Sequence, residues 1–354
     1  MSAMQVMSRC RSENMGVTVQ DIIGSESISQ LASLVTLPEE TSYQNEDDEE
    51  FDLSPIQQVY FECMQGDQTQ FNQSMLLRLR QVIRPEDVEH AINELVQAHS
   101  MFRARFSQDK NGVWRQRITQ DIHGSYRFRV HQDESIQTST ENSQKCLNFV
   151  EGPVLAVDLF NFRSEESLLF ITAHHLVIDV VSWHIVLQDL EDLLRQKSLK
   201  TPASISFQTW CRLQVENAQQ DTAERVLPVE GVPTADFEYW GMEGRLNIHG
   251  DVVTEEIKLD ADRSSNLFGA CHESLQTEFI DLILATLLVS FGHVFPDRMT
   301  PPAIYNEGHG REPWDPSIDL SHTVGWFTTL SPVYLPRGFN IHEGMKFFTM
   351  AFSN

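Results

Sequence analysis

The stretch Leu168–Leu194 constrains the fold more than any other part of the sequence. Leu168 to Leu176 is an apolar, partly β-branched run, short enough for a buried strand. Val181 to Leu194 then places Leu187, Leu190 and Leu194 at helical spacing. Between them stands His174-His175-Leu176-Val177-Ile178-Asp179. A buried strand feeding a helix must be covered by other elements, and the rest of the chain offers them. Met75–Leu79 reads as a strand, and Pro85 opens an amphipathic helix carrying Val88, Ile92, Leu95 and Val96. Val252–Leu259 reads as a strand, Phe279–Phe295 as a buried helix and Ala303–Asn306 as a short strand. Strands and helices mix throughout, so the fold class is α/β or α+β.

The 354 residues suffice for two domains or one large two-lobed domain. Residues 1–36 show a helical pattern in Ile22, Ile23, Ile28, Leu31, Leu34 and Val35, too short to bury a core alone. The run Glu46-Asp47-Asp48-Glu49-Glu50 repels itself and stays solvated, which makes 37–52 an acidic linker. Around 221–235 the chain turns polar, with Pro228, Gly231 and Pro233, and an inter-lobe connection is expected there. A formal net charge of −25 opposes nonspecific binding to nucleic acid or an anionic membrane. Cys10, Cys63, Cys146, Cys211 and Cys271 have no metal-ligand spacing and read as reduced thiols of an intracellular protein. The first residues have no signal-peptide core, and the most apolar stretch, Phe279–Phe291, is too short to span a bilayer. The expected location is cytoplasmic.

Two features carry chemistry. Neighbouring residues on a strand face opposite sides, so one of His174 and His175 is expected in the core and the other toward a cleft. A cleft-facing imidazole exchanges protons near neutral pH, and Asp179 is placed to brace the turn or cap the helix. The same residue types also suit a strand that ends in satisfied histidines; a metal site lacks a third ligand at a recognisable spacing. The second feature is Asn306-Glu307-Gly308-His309-Gly310-Arg311-Glu312. Its glycines allow close backbone approach to a ligand, and burial would make Glu307 a useful acid or base; an ordinary charged turn fits the same residues.

Together the two features resemble a family. His174–Asp179 is similar to the His-His-x-x-x-Asp-Gly motif of nonribosomal peptide condensation and epimerization domains. Val181-Ser182-Trp183, Glu307-Gly308-His309-Gly310-Arg311-Glu312 and Thr323-Val324-Gly325-Trp326-Phe327-Thr328 resemble the epimerization branch. Leu53-Ser54-Pro55-Ile56-Gln57 and Phe71-Asn72-Gln73-Ser74 are similar to its opening segments. Ser2-Ala3-Met4-Gln5-Val6 resembles the segment after the pantetheine-bearing serine of a carrier domain, and Val19–Ile22 with Ser27–Ala32 resembles the carrier's closing helices.

The resemblance implies a chloramphenicol-acetyltransferase-like fold of two α+β sandwich lobes, with a tunnel between them. Residues 1–36 would be the end of a peptidyl carrier domain, 53–225 the N-terminal lobe and 236–354 an incomplete C-terminal lobe. His175 and Glu307 would flank the α-carbon of a substrate thioester carried on the 4'-phosphopantetheine of a carrier domain, whose attachment serine lies upstream of Met1. His174, Asp179, Asn306, His309 and Arg311 would shape the site, with no metal or directly bound cofactor. The implied reaction is epimerization of an L-aminoacyl or L-peptidyl thioester, with carrier and other synthetase domains as partners. The alternatives are an amide-forming condensation domain and a non-catalytic truncated remnant. Two residues depart from the pattern: Val180 stands in place of the motif glycine, where its side chain is expected to crowd the site, and His322 replaces an arginine.

Overall fold

The computed structural model describes residues 6, 10, 15–17, 19–25, 27–35, 48–64, 70–132, 135–162, 167–195, 198–199, 204–220, 232–233, 235–245, 248–271, 277, 279–295, 302–315 and 318–334. Ser2–Gln5, most of the acidic linker and most of the 221–235 connection lie outside them. The chain divides into two compact units, one of residues 1–221 with 309–329, the other of 222–308 with 330–354.

In the first unit, helices α1 (Val19–Gly24) and α2 (Ile28–Ser33) occupy the early helical pattern. After β1 (Glu50–Phe51), helix α3 (Pro55–Cys63) starts on a capping box in which Ser54 and Gln57 satisfy each other's backbone N–H, with Pro55 in the first turn. Strand β2 (Asn72–Leu79) and helix α4 (Pro85–Ala98) follow, then β3 (Ala104–Gln108), β4 (Trp114–Ile118) and β5 (Tyr126–Gln132). Helix α5 (Ile136–Lys145) leads to β6 (Leu155–Asn161), β7 (Ser167–His174), α6 (Val180–Leu194) and α7 (Phe207–Gln220).

One sheet has the order β2-β7-β6-β5, antiparallel except for the parallel β5–β6 pair; a second has the order β1-β4-β3. Strand β7 is buried along almost its whole length, because β2 and β6 flank it and helices cover it. One core joins Val88, Ile92 and Leu95 of α4 to Leu155, Val157 and Leu159 of β6 and to Trp183, Val186 and Leu190 of α6. Each such side chain contributes about 1.5–3 kcal/mol relative to exposure. Ile318, Leu320, Val324, Trp326 and Phe327 enter the same core, which is why 309–329 folds with the first unit although it follows residue 236 in sequence.

The second unit contains α8 (Ala261–Asn266), α9 (Phe279–Val294) and a two-stranded sheet of β8 (Ile304–Gly308) and β9 (Thr329–Val333). Among the described residues its core cluster is small: Leu284, Ala285, Leu288 and Val333. Two expectations are corrected here. Val252–Leu259 forms no ladder and is exposed throughout; strand propensity is realised only when a neighbouring strand takes up the backbone groups. Helix α9 buries one face rather than its whole circumference, with Ile280, Ile283 and Leu287 exposed. Among the described residues no helix is long and apolar enough to cross a membrane, and no group of His, Cys, Asp or Glu could hold a metal ion.

Candidate active site

Strand β7 ends at His174, and His175 opens a short 3-10 turn running to Val177. The two histidines therefore part because the chain leaves the strand, not because both alternate along it. His174 is fully buried beside Phe149; its N–H donates to Val154 O (2.9 Å) and its Nδ1 accepts from Leu176 N (3.3 Å). His175 is half-buried. Its N–H donates to Phe71 O (2.7 Å), and its ring stacks on Phe71 at 4.8 Å and lies 4.6 Å from the Trp326 ring. Gln57 of the capping box reaches the same turn, donating from Nε2 to Leu176 O at 2.8 Å.

The imidazole edges of His175 have defined partners. Nδ1 lies 2.8 Å from Ile178 O, and a carbonyl can only accept, so Nδ1 carries a proton. Nε2 lies 2.7 Å from Gln73 Nε2, and Gln73 Oε1 accepts from the Trp183 indole N–H at 2.9 Å. The Trp326 indole N–H and the Tyr60 hydroxyl are buried without a hydrogen-bond partner. Burial pushes the Tyr60 phenol up to about 12, so it is neutral at physiological pH.

Asp179 caps α6, accepting from Ser182 N at 2.7 Å, and also accepts from Phe327 N at 3.1 Å. Arg311 reaches both of its carboxylate oxygens (3.1 and 3.3 Å) and donates to Ser182 Oγ (2.8 Å), Leu320 O (3.0 Å) and Thr323 O (2.7 Å). Its guanidinium lies 3.9 Å from the Phe327 ring. Burial lowers the Arg311 pKa and Asp179 opposes that shift; from so high an ordinary value the group stays charged. This pair ties the start of α6 to the segment that carries Trp326. Gly310 makes the turn possible: at φ +64° a Cβ would stand 1.7 Å from Phe327 O.

The structure thus gathers His174, His175, Asp179 and Arg311 into one cluster of the first unit. His309 is exposed; its Nδ1 accepts from Arg311 N (3.1 Å) and its Nε2 lies 3.3 Å from Glu312. Asn306 and Glu307 stand on β8 in the second unit, Asn306 half-buried and Glu307 exposed. Val180 is 63% exposed at the first position of α6. His322 Nε2 lies 3.3 Å from Asp189 Oδ1, while His99 Nε2 takes the other oxygen at 2.8 Å. An imidazole rather than a fixed cation therefore meets this carboxylate. Sequence reasoning gave no role to Gln57, Phe71, Gln73, Trp183 or Trp326. All five lie in segments noted for their family resemblance, which was the available signal.

A family model described as the condensation domain matches residues 47–226, just over half of the chain. The chain belongs to the condensation-domain family. This domain is 48% identical over 340 residues to nonribosomal peptide synthetase 4 of Gibberella zeae, covering 95% of this chain and 4% of that protein. It is 44% identical over 343 residues to nonribosomal peptide synthetase 1 of Aspergillus fumigatus, covering 94% of this chain and 5% of that protein. The chain spans a small fraction of these relatives' length. Among solved structures, the fold is similar to the epimerization domain from the third module of tyrocidine synthetase B (TM-score 0.65, 23% identity, 88% of this chain and 74% of that one). It is also similar to the condensation domain of the monacolin K polyketide synthase (TM-score 0.62, 16% identity, 86% of this chain and 72% of that one). The mixed α/β fold expected from the sequence is thus that of the condensation family.

Proposed function

We propose that this condensation-family domain epimerizes the α-carbon of an L-aminoacyl or L-peptidyl thioester held on the phosphopantetheine arm of a carrier domain. The thioester carbonyl acidifies the α-hydrogen. One group takes that proton to give an enolate, and a proton returns to the opposite face, so no redox partner is needed. His175 and Glu307 are the proton-transferring groups in this reading, in an order left to experiment. His174, Asp179 and Arg311 shape the surroundings of His175 in this reading, and Asn306 and His309 flank Glu307 and Arg311 in sequence. The partners are the carrier and neighbouring domains of a nonribosomal peptide synthetase, and α1 and α2 fall in the stretch that resembles a carrier's closing helices.

The observation that carries the reading is the link between Trp183, Gln73 and His175. Trp183 belongs to Val181-Ser182-Trp183, a continuation similar to the epimerization branch, and it orients the amide that meets the His175 lone pair. A second reading, amide formation, is supported by the condensation-domain match and by the same lone pair, which could take a proton from an attacking amine. The two are separated by loading a carrier with an L-aminoacyl thioester, incubating it with the protein and analysing the hydrolysed amino acid for chirality. Epimerization gives a D/L mixture, reduced about 10²- to 10⁴-fold in rate by Glu307→Gln. An L-only product that joins a downstream amine acceptor supports condensation, and neither activity points to a non-catalytic remnant.

A further inference from the structure

The hydrogen bonds around His175 have a forced direction. The Trp183 indole nitrogen can only donate, so the atom of Gln73 that meets it at 2.9 Å is the amide oxygen. The NH₂ of Gln73 therefore faces His175 Nε2, at 2.7 Å, and an NH₂ needs a lone pair opposite it. On the other edge of the ring, the Ile178 carbonyl at 2.8 Å requires a proton on Nδ1. Two separate constraints, one through a side chain and one through the backbone, select the same neutral tautomer.

We infer that Gln73 is a positioning residue that locks His175 in the neutral Nδ1–H form and occupies Nε2 until a substrate takes its place. A proton on Nε2 would face the amide N–H directly. Rotating the amide by half a turn relieves that clash only by setting NH₂ against the Trp183 N–H. Neither partner yields easily. Trp183 is almost completely buried in the first turn of α6, and the Gln73 backbone is fixed in β2, with its carbonyl accepting from Thr172 Oγ1 at 3.3 Å. The Asp179 carboxylate is engaged by Arg311, Ser182 N and Phe327 N, and Tyr60 is held neutral by burial. Phe71 and Trp326 bring only ring carbons and a donor N–H to the imidazole.

The inference rests on His175 being a proton-exchanging group, and it makes Gln73 the group a substrate must displace. It is tested on the full chain with ¹⁵N-labelled histidine, the His175 resonances being assigned from a His175→Gln variant. Wild type should show a protonated Nδ1 and a bare Nε2 at neutral pH. Gln73→Glu places a carboxylate against both Nε2 and the Trp183 N–H, so the imidazolium should persist to higher pH, with basicity raised about tenfold or more. Gln73→Leu removes the opposing donor and should raise basicity by less. Trp183→Phe frees the amide to rotate and should shift the midpoint in the same direction, and it serves if a Gln73 variant fails to fold. A wild-type proton on Nε2, or unchanged midpoints in the variants, would overturn the lock. Loss of the epimerase reading alone would leave these spectra unchanged, because they are recorded without substrate.

Discussion

In the first unit, helix α6 buries Trp183, Val186 and Leu190 in a core shared with α4, β6, β7 and the 318–327 segment. In the second, α9 is far more apolar in sequence, yet Leu287 is 52% exposed, and among the described residues the unit's core cluster is Leu284, Ala285, Leu288 and Val333. Apolar content does not by itself make a core. In the first unit, elements distant in sequence converge and are pinned by a buried Asp179–Arg311 pair. In the second, the described residues around α9 supply few partners, and the branched stretch Val252–Leu259 stays exposed, with Ile257 at 89%.

The largest effect that sharpens this contrast is Arg311→Met. It strands a buried carboxylate that also caps α6, which costs about 3–5 kcal/mol. Denaturant unfolding should show the loss in the first unit's transition, with hydrogen exchange in α9 unchanged. Equal loss in both units would mean that they are not separately stabilised.

A matched pair of glycine substitutions comes next. Gly310→Ala meets the Phe327 carbonyl at a positive φ and should destabilise the first unit by more than about 2 kcal/mol. Gly292→Ala, in α9 with nothing within 4 Å of the new methyl, should stabilise its helix by about 0.4–1 kcal/mol. The same sign at both sites would contradict the packing described.

A smaller effect is the pH response of His322. Burial depresses its pKa below the ordinary 6.5; Asp189 and Asp319 oppose that shift, while His99 and Arg311 add to it. The unfolded chain therefore binds this proton more readily than the folded one. Its contribution to stability is complete above about pH 6.5 and is lost as pH falls through that value toward the folded pKa. Unfolding titrations from pH 8 to 5 should show a first-unit stability loss that His322→Gln flattens, while α9 protection does not respond. The smallest effect is Ile257→Asp, which should change stability by less than about 0.5 kcal/mol, because the residue buries almost nothing.

What the sequence revealed follows the same division. Pro85 at a helix start and the apolar run before His174 marked α4 and β7 because both signals are local. Glu307 and Arg311 were singled out on their glycine-flanked turn, but the contact of Arg311 with Asp179 joins residues 132 positions apart and no periodicity displays it. Gln73 was visible only as part of Phe71-Asn72-Gln73-Ser74; its role depends on which atom of its amide faces an indole across the fold. Val252–Leu259 had a strand's composition, and composition cannot report whether a neighbouring strand is present.

The most direct test of the central claim is deuterium uptake at the substrate α-carbon. A carrier loaded with an L-aminoacyl or L-peptidyl thioester is incubated with the protein in D₂O and then hydrolysed, and both enantiomers are examined by mass spectrometry. Proton exchange through His175 and Glu307 predicts α-deuterium in the recovered D-form and progressively in the L-form, with His175→Ala and Glu307→Gln each suppressing it and His174→Ala acting through folding. Retention of the α-hydrogen by the wild type, together with amide formation on a downstream acceptor, would contradict it.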